Sequence, residues 1–256
     1  MQDNSALGRA LEMVRDLRVR CAWDRVQTRE TLRPYLVEEM LELDQALAEN
    51  DASAIRDELG DFLLHLAWQL VLGEERNEFT AAEVAETMER KMKRRHPHLF
   101  DIGPPEAWER LKRRERDDGV LGRLPAALPD LLRAYRLQER AASVGFDWPD
   151  ARGPIAKVRE ELTEVEKELA PSDHRAPGGV AHDALADEIG DLLFAVVNLA
   201  RKAEVQPGPA LDRANRKFRE RFEAVEGLAK ERGVDLHDAG LEVLDGMWEE
   251  VKRRER

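Results

Sequence analysis

Apolar residues recur at three- and four-residue intervals along nearly the whole chain, which is the period of an amphipathic helix. "ALGRALEMVRDLRVR" predicts a first helix, and "CAWDRVQT" interrupts it. A second helix is expected from about Leu32 to Leu47, followed by the turn "AENDAS". Asp51 and Ser53 are both placed to cap a third helix that continues to about Leu72. "TAAEVAETMERKMKRR" starts a fourth after Thr80, another capping residue, and stops before Pro97. "PPEAWERLKRRER" reads as a short fifth.

After the junction "DDGVLGRLP" the pattern begins again. "LPDLLRAYRLQERAASVG", "IAKVREELTEVEKELA", "ALADEIGDLLFAVVNLARKA" and "PALDRANRKFRERFEAVEGLAKERG" predict helices, and a tail ends in "LDGMWEEVKRRER". "PSDHRAPGGVAHD" is expected to be a long polar loop. No alternating β pattern intervenes. The expected class is all-α, a helical-bundle domain in tandem duplicate, with domains at 1–118 and 119–256.

Acidic residues carry the repeat most clearly. Glu38, Glu39 and Glu42 correspond to Glu160, Glu161 and Glu164 at an offset of 122, and Glu58 and Asp61 to Glu188 and Asp191 at an offset of 130. The longer second loop absorbs the difference. Glu39 and Glu42 share a helix face, as do Glu58 and Asp61. Folded as an antiparallel hairpin, the pairs Glu42/Glu58 and Glu39/Asp61 both centre on position 50, inside the turn. Glu164/Glu188 and Glu161/Asp191 both centre on position 176, inside the second loop. Each carboxylate therefore meets its partner at one height.

Convergent carboxylates repel and resist burial. A hard divalent cation resolves the conflict. Mg²⁺ suits carboxylate oxygens, water and phosphates, and Mn²⁺ is a chemical substitute. No His or Cys falls at matching spacing, which argues against zinc or a His-containing di-iron set. A single E-x-x-E on a helix is ordinarily solvated surface. Here the motif is duplicated, lies beside strongly apolar positions, and carries Gly60 or Gly190 between the second pair of acids. A helical glycine costs about 1 kcal/mol relative to alanine, so it suggests close helix packing or metal access.

Lys91 and Arg95, and again Lys217 and Arg221, are i,i+4 pairs at repeated positions. They are expected to neutralise phosphate charge; taken singly, either pair also reads as helix-surface charge. Trp23 and Trp148 precede the acidic hairpins, and Trp248 lies near the end, with core packing and base stacking both open to all three. Asp24 and Asp147 read as helix caps or substrate contacts, His65 as a packing or hydrogen-bonding group, and His96 and His98 as structural or surface groups.

The net charge of −12 disfavours stable nucleic-acid binding. A lone Cys21 excludes an intrachain disulfide and fits a cytoplasmic location. The start "MQDNSALGRA" lacks signal-peptide character, and "LLFAVVNLA" is far too short to span a membrane.

"EEMLE" with "ELGD", and "EELTE" with "EIGD", together with "CAWDRVQTRETLRPYLVEE", "KMKRRHPHLF", "AASVGFDW" and "ANRKFRERF", resemble the MazG proteins over nearly the whole chain. These are two-domain members of the all-α NTP pyrophosphatase group. The resemblance implies Mg²⁺-dependent hydrolysis of an NTP or dNTP to the monophosphate and pyrophosphate, in nucleotide house-cleaning or pool control, by a homodimer. It implies metal carboxylates at Glu161, Glu164, Glu188 and Asp191, with Glu39, Glu42, Glu58 and Asp61 as their amino-terminal counterparts. Lys217, Arg221 and Trp248 would meet the nucleotide. Glu161 or Glu164 would orient the attacking water. The second domain is the expected main catalyst. A related hydrolase restricted to dUTP or phosphoribosyl-ATP, and a nucleotide-sensing adaptor without turnover, remain the alternatives.

Overall fold

Side-chain caps fix where the helices of the amino-terminal half begin. Ser5 accepts from the Gly8 amide at 3.0 Å and opens α1, Ala6–Arg20. A single turn, α2, follows at Ala22–Arg25. Thr28 and Thr31 exchange side-chain and backbone bonds and start α3 at Arg29, three residues before the expected Leu32; it runs Arg29–Glu49. Asp51, not Ser53, caps α4, Ala52–Glu75. Thr80 and Glu83 form a capping box on α5, Ala81–Arg95, which a 3₁₀ turn at Pro97–Leu99 terminates. Asn50 sits in the left-handed region at φ 55°, so only Asn50 and Asp51 separate α3 from α4.

The computed structural model describes residues 5–106, 111, 119–169 and 180–255. The chain divides into units Met1–Glu106 and Ala107–Arg256. The expected domain boundary, most of the helix expected in "PPEAWERLKRRER", and the greater part of the loop "PSDHRAPGGVAHD" lie outside the described residues. The second unit contains α6 (Asp130–Ala142), α7 (Arg152–Leu169), α8 (Val180–Lys202), α9 (Pro207–Arg232) and α10 (Gly240–Arg254). Among the described residues there is no strand, and no helix is long and apolar enough to cross a membrane. The all-α expectation holds.

In the first unit α4 packs on both α3 and α1. Leu11 and Val14 of α1, Leu32 of α3, and Trp68 and Val71 of α4 close one apolar cluster. Arg18 ties the periphery down, donating to Glu75 at 2.5 and 2.7 Å and to the Asp24 and Gln27 carbonyls, with its guanidinium 5.4 Å above the Trp68 ring. In the second unit α7 packs on α8, and α6 lies against α8. Its buried apolar cluster sits elsewhere, between α9 and α10, where Val225, Leu228 and Ala229 meet Met247 and Val251.

Gly60 and Gly190 do not serve close helix packing, since a Cβ at either position would meet nothing within 4 Å. They open space beside the acidic residues instead.

Trp68 is 3% exposed at the centre of its cluster. Trp68→Ala is expected to lower the stability of the first unit by about 3–5 kcal/mol, measured by urea denaturation. A loss below about 1 kcal/mol would mean that the cluster does not hold α1 onto α4.

Candidate metal centres

Hairpin packing brings the acids of both units together. In the first, carboxylate oxygens of Glu39, Glu58 and Asp61 lie within 4.8 Å of one another. Glu42 stands close enough to repel Glu39 and Glu58. Burial, then repulsion from Asp61, Glu42 and Glu58, raises the Glu39 carboxyl above its ordinary range. Desolvation, then Glu42 and Asp61, does the same to Glu58. The reflection about position 50 thus describes real neighbours.

The second unit holds two overlapping triads. Glu161, Glu188 and Asp191 lie within 4.8 Å, and so do Glu160, Glu161 and Glu164. Glu161 belongs to both and is buried at 4% exposure. Lys157, one helical turn earlier, sets its charge. The ammonium lies 2.5 Å from Glu161 and 2.8 Å from Glu160. Those hydrogen bonds raise Lys157 above the ordinary lysine range. The bond from Lys157 outweighs desolvation and keeps Glu161 below the ordinary carboxyl range. Glu164 moves up, first because it hydrogen-bonds Glu161, then through desolvation and repulsion from Glu161 and Glu188. Glu161 and Glu164 are therefore shifted in opposite directions, Lys157 favouring the charged form of Glu161 and the Glu161 contact opposing charge on Glu164.

Two residues at these centres were not singled out as site residues from the sequence. Lys157 is one, although its i,i+4 spacing to Glu161 was visible. His65 is the other. It is buried, its Nε2 lies 4.0 Å from Glu39 Oε1, and burial lowers its pKa. Its Nδ1 has no hydrogen-bond partner among the described residues. At the matching offsets Lys157 corresponds to Tyr35 and His65 to Ala195. The two centres share their acids and differ in what surrounds them.

The donor set fits a hard divalent cation in both units. Among the described residues, no lysine or arginine ion pair meets the three convergent carboxylates of the first, and in the second one ammonium is shared by Glu160 and Glu161.

The expected phosphate-binding cations form a separate group. Arg221 donates to the Glu255 carboxylate at 2.6 and 3.0 Å and lies 5.9 Å over the Trp248 ring. Lys217 is near enough to lower the Glu255 pKa. Phe218 packs against Trp248 at 5.2 Å between ring centroids. Among the described residues no ion pair joins Lys217 or Arg221 to the four carboxylates; Glu255 occupies Arg221 instead. Lys91 and Arg95 are half-buried in the last turns of α5. Trp23 packs edge-on to Tyr35 at 6.2 Å. Asp147 caps no helix but pairs with Arg201 and Lys202.

A family model described as the MazG nucleotide pyrophosphohydrolase domain matches residues 27–100 and 154–226, one match spanning each acidic hairpin. The chain is 40% identical over 238 residues to a nucleoside triphosphate pyrophosphohydrolase/pyrophosphatase MazG of Thermotoga maritima, covering 91% of this chain and 89% of that one. It is 37% identical over 256 residues to a nucleoside triphosphate pyrophosphohydrolase of Escherichia coli K12, covering 96% and 95%. An uncharacterised Bacillus subtilis protein, YabN, is 40% identical over 92% of this chain and 49% of its own length. With duplicated acidic hairpins and a family match on each, the chain belongs to the MazG nucleotide pyrophosphohydrolase family.

Proposed function

We propose that the chain hydrolyses nucleoside triphosphates, ribo- or deoxyribo-, to the monophosphate and pyrophosphate with Mg²⁺, and that the second unit is the main catalyst. The observation that carries this reading is the buried Glu161, shared by two carboxylate triads and charged by Lys157. The Thermotoga and Escherichia relatives are named for activity of that kind.

If bound by Glu161, Glu164, Glu188 and Asp191, Mg²⁺ would supply Lewis-acid polarisation of phosphoryl oxygens and would acidify the attacking water. Lys157 favours the carboxylate form of Glu161. Glu164, beside Glu161, would accept the proton of the attacking water as a base. Water adds to the α-phosphorus, the bond to the bridging oxygen breaks, and pyrophosphate leaves with the electron pair. Lys217 and Arg221 meet the leaving charge, Arg221 exchanging the Glu255 carboxylate for phosphate. Trp248, beneath the Arg221 guanidinium, offers a face for the nucleotide. Glu39, Glu42, Glu58 and Asp61 would serve as a second cage of the same design, with Lys91 and Arg95 as its expected phosphate cations, and its turnover is a separate question.

A homodimer belongs to the same reading. Leu59, Phe62 and Leu66 on α4 and Ile189, Leu193 and Val196 on α8 are all more than a third exposed. Apolar faces of that extent, flanking the acidic hairpins, suit burial against a second copy.

Glu161→Gln in the full chain is expected to lower pyrophosphate release from a mixed NTP panel by about 100-fold or more. Glu39→Gln should leave most of it. Equal losses would move the chemistry to both cages, and a retained rate in Glu161→Gln would remove the second cage from catalysis.

A second expectation concerns charge. The Glu58 carboxyl is raised in the fold, so folding without a cation becomes less favourable as pH rises through the carboxyl range. Glu58→Gln should therefore raise the thermal midpoint of the metal-free chain near neutral pH and shrink the rise that Mg²⁺ produces. An unchanged response to Mg²⁺ would take Glu58 out of the metal site.

A further inference from the structure

The first cage has a nitrogen donor beside it that the second lacks. His65 lies on α4 one helical turn after Asp61, so the two share a face. It is 6% exposed, and its Nε2 stands 4.0 Å from Glu39 Oε1. That separation is past hydrogen-bond length. On the other side of the ring, Nδ1 is buried with no hydrogen-bond partner among the described residues. A buried polar atom without a partner costs free energy, so packing alone gives no reason for an imidazole here.

The duplicated second unit shows what packing requires. At the acidic-helix offset of 130, His65 corresponds to Ala195, which is equally buried. A methyl group suffices there, one turn after the cage residue Asp191. The neighbouring interior differs in the opposite sense. The second unit has a cavity of about 480 Å³ between α6 and α8, whose lining includes Gln138, Asn198 and Arg201. Their counterparts at offsets of 124 and 130 are Val14, Trp68 and Val71, which belong to the packed apolar cluster of the first unit. The helix that carries Glu58 and Asp61 is therefore backed by a filled interior. It has gained a donor and no space.

Distance decides what the imidazole can share with Glu39. Bonds from an ion such as Zn²⁺ to an imidazole nitrogen or a carboxylate oxygen are about 2.0–2.2 Å, so two such donors on one ion stand at most about 4.3 Å apart. A gap of 4.0 Å is too long for a hydrogen bond and short enough for a shared ion. Glu58 and Asp61 bring carboxylate oxygens within 4.8 Å of Glu39. Coordination through Nε2 would engage the ring nitrogen that faces the acids.

Three carboxylates alone suit a hard ion such as Mg²⁺. An imidazole changes the order of preference, because nitrogen ligation favours first-row transition ions while Mg²⁺ keeps to oxygen and water. The geometry points to a first cage that is a mixed nitrogen–oxygen site for a divalent first-row transition ion, with Glu39, Glu58, Asp61 and His65 Nε2 as its protein ligands. This rests on the metal reading of the acids and requires no turnover at the first cage. It gives the two units different ion preferences, all-oxygen in the second and mixed in the first.

Mn²⁺ bound to the full chain is the probe. Pulsed electron paramagnetic resonance of the Mn²⁺-loaded chain is expected to show hyperfine coupling to a histidine ring nitrogen. His65→Ala should remove that coupling and weaken Mn²⁺ at the first cage by about 10-fold or more, with Mg²⁺ affinity nearly unchanged by calorimetry. His65→Gln, which keeps bulk and offers an oxygen, should lose the coupling while retaining the fold, with circular dichroism as the control for both variants. No nitrogen coupling in the unmodified chain, or coupling that survives in either folded variant, overturns the proposal. Mn²⁺ stoichiometry that Glu39→Gln leaves unchanged overturns it together with the metal reading of the first cage. Loss of the pyrophosphohydrolase reading would show separately, as absent pyrophosphate release from a chain that keeps the coupling.

Discussion

Repulsion between carboxylates forced together across a helical hairpin is the constraint on which both units turn. Antiparallel packing of α3 on α4 and of α7 on α8 leaves no freedom in which acids meet, because one turn centre fixes every pairing height. Burial then makes the repulsion costly, and the molecule meets that cost differently in its two halves. In the first unit the cost stays in the fold, visible as raised Glu39 and Glu58 carboxyls. In the second, Lys157 offsets part of it and separates the set, lowering the Glu161 carboxyl while Glu164 is raised. Acids shifted in opposite directions are chemically unequal in a way that acids raised together are not.

Much of this was legible in the sequence because helix geometry is periodic. The caps at Asp51 and Thr80, the α1 and α5 limits, and the meeting of Glu39 with Asp61 and of Glu161 with Asp191 all follow from spacing. What escaped depends on packing between elements. The early start of α3 needs the reciprocal Thr28–Thr31 bonds, which satisfy amides ahead of the first apolar position. Gly60 and Gly190 read as serving either close packing or metal access, and only the open space at both positions removes the first, because a residue's neighbours across a groove are not encoded in its own helix. Lys157 and His65 look like ordinary helix positions until burial shows them beside the acids. The Arg221–Glu255 bond joins residues 34 apart, on two helices whose crossing no local period fixes.

Glu255 also shows why an acid count misleads. Carboxylates serve two opposite purposes here. Those of the hairpins crowd together and call for a cation. Glu255 sits alone opposite Arg221 and near Lys217, lowering its own pKa as those cations hold it. It presents to Arg221 the planar, two-oxygen face that a phosphate would present. The bond keeps the Arg221 guanidinium oriented toward Glu255 and over the Trp248 ring.

The two units also differ in where their stability resides, and that difference accounts for the cavity. In the first, Val14, Trp68 and Val71 fill the space between α1 and α4, so the helices that carry the acids are braced by the core itself. In the second, the buried cluster lies between α9 and α10, away from the acidic hairpin. The corresponding space between α6 and α8 carries less of the packing and can hold Gln138 and an opening instead. Loss of Trp68 and Val71 would ordinarily leave α6 loosely held. Polar ties stand there instead: Gln138 joins α6 to the Phe194 carbonyl of α8, and Arg201 and Lys202 join α8 to Asp147 and the Trp148 carbonyl in the segment after α6. Directional bonds at the rim can hold two helices apart at a fixed spacing, which an apolar core cannot do without filling the gap. A duplicated fold thus carries one layout of convergent carboxylates twice, with the adjoining interior filled by apolar packing in one unit and left as a polar-braced cavity in the other.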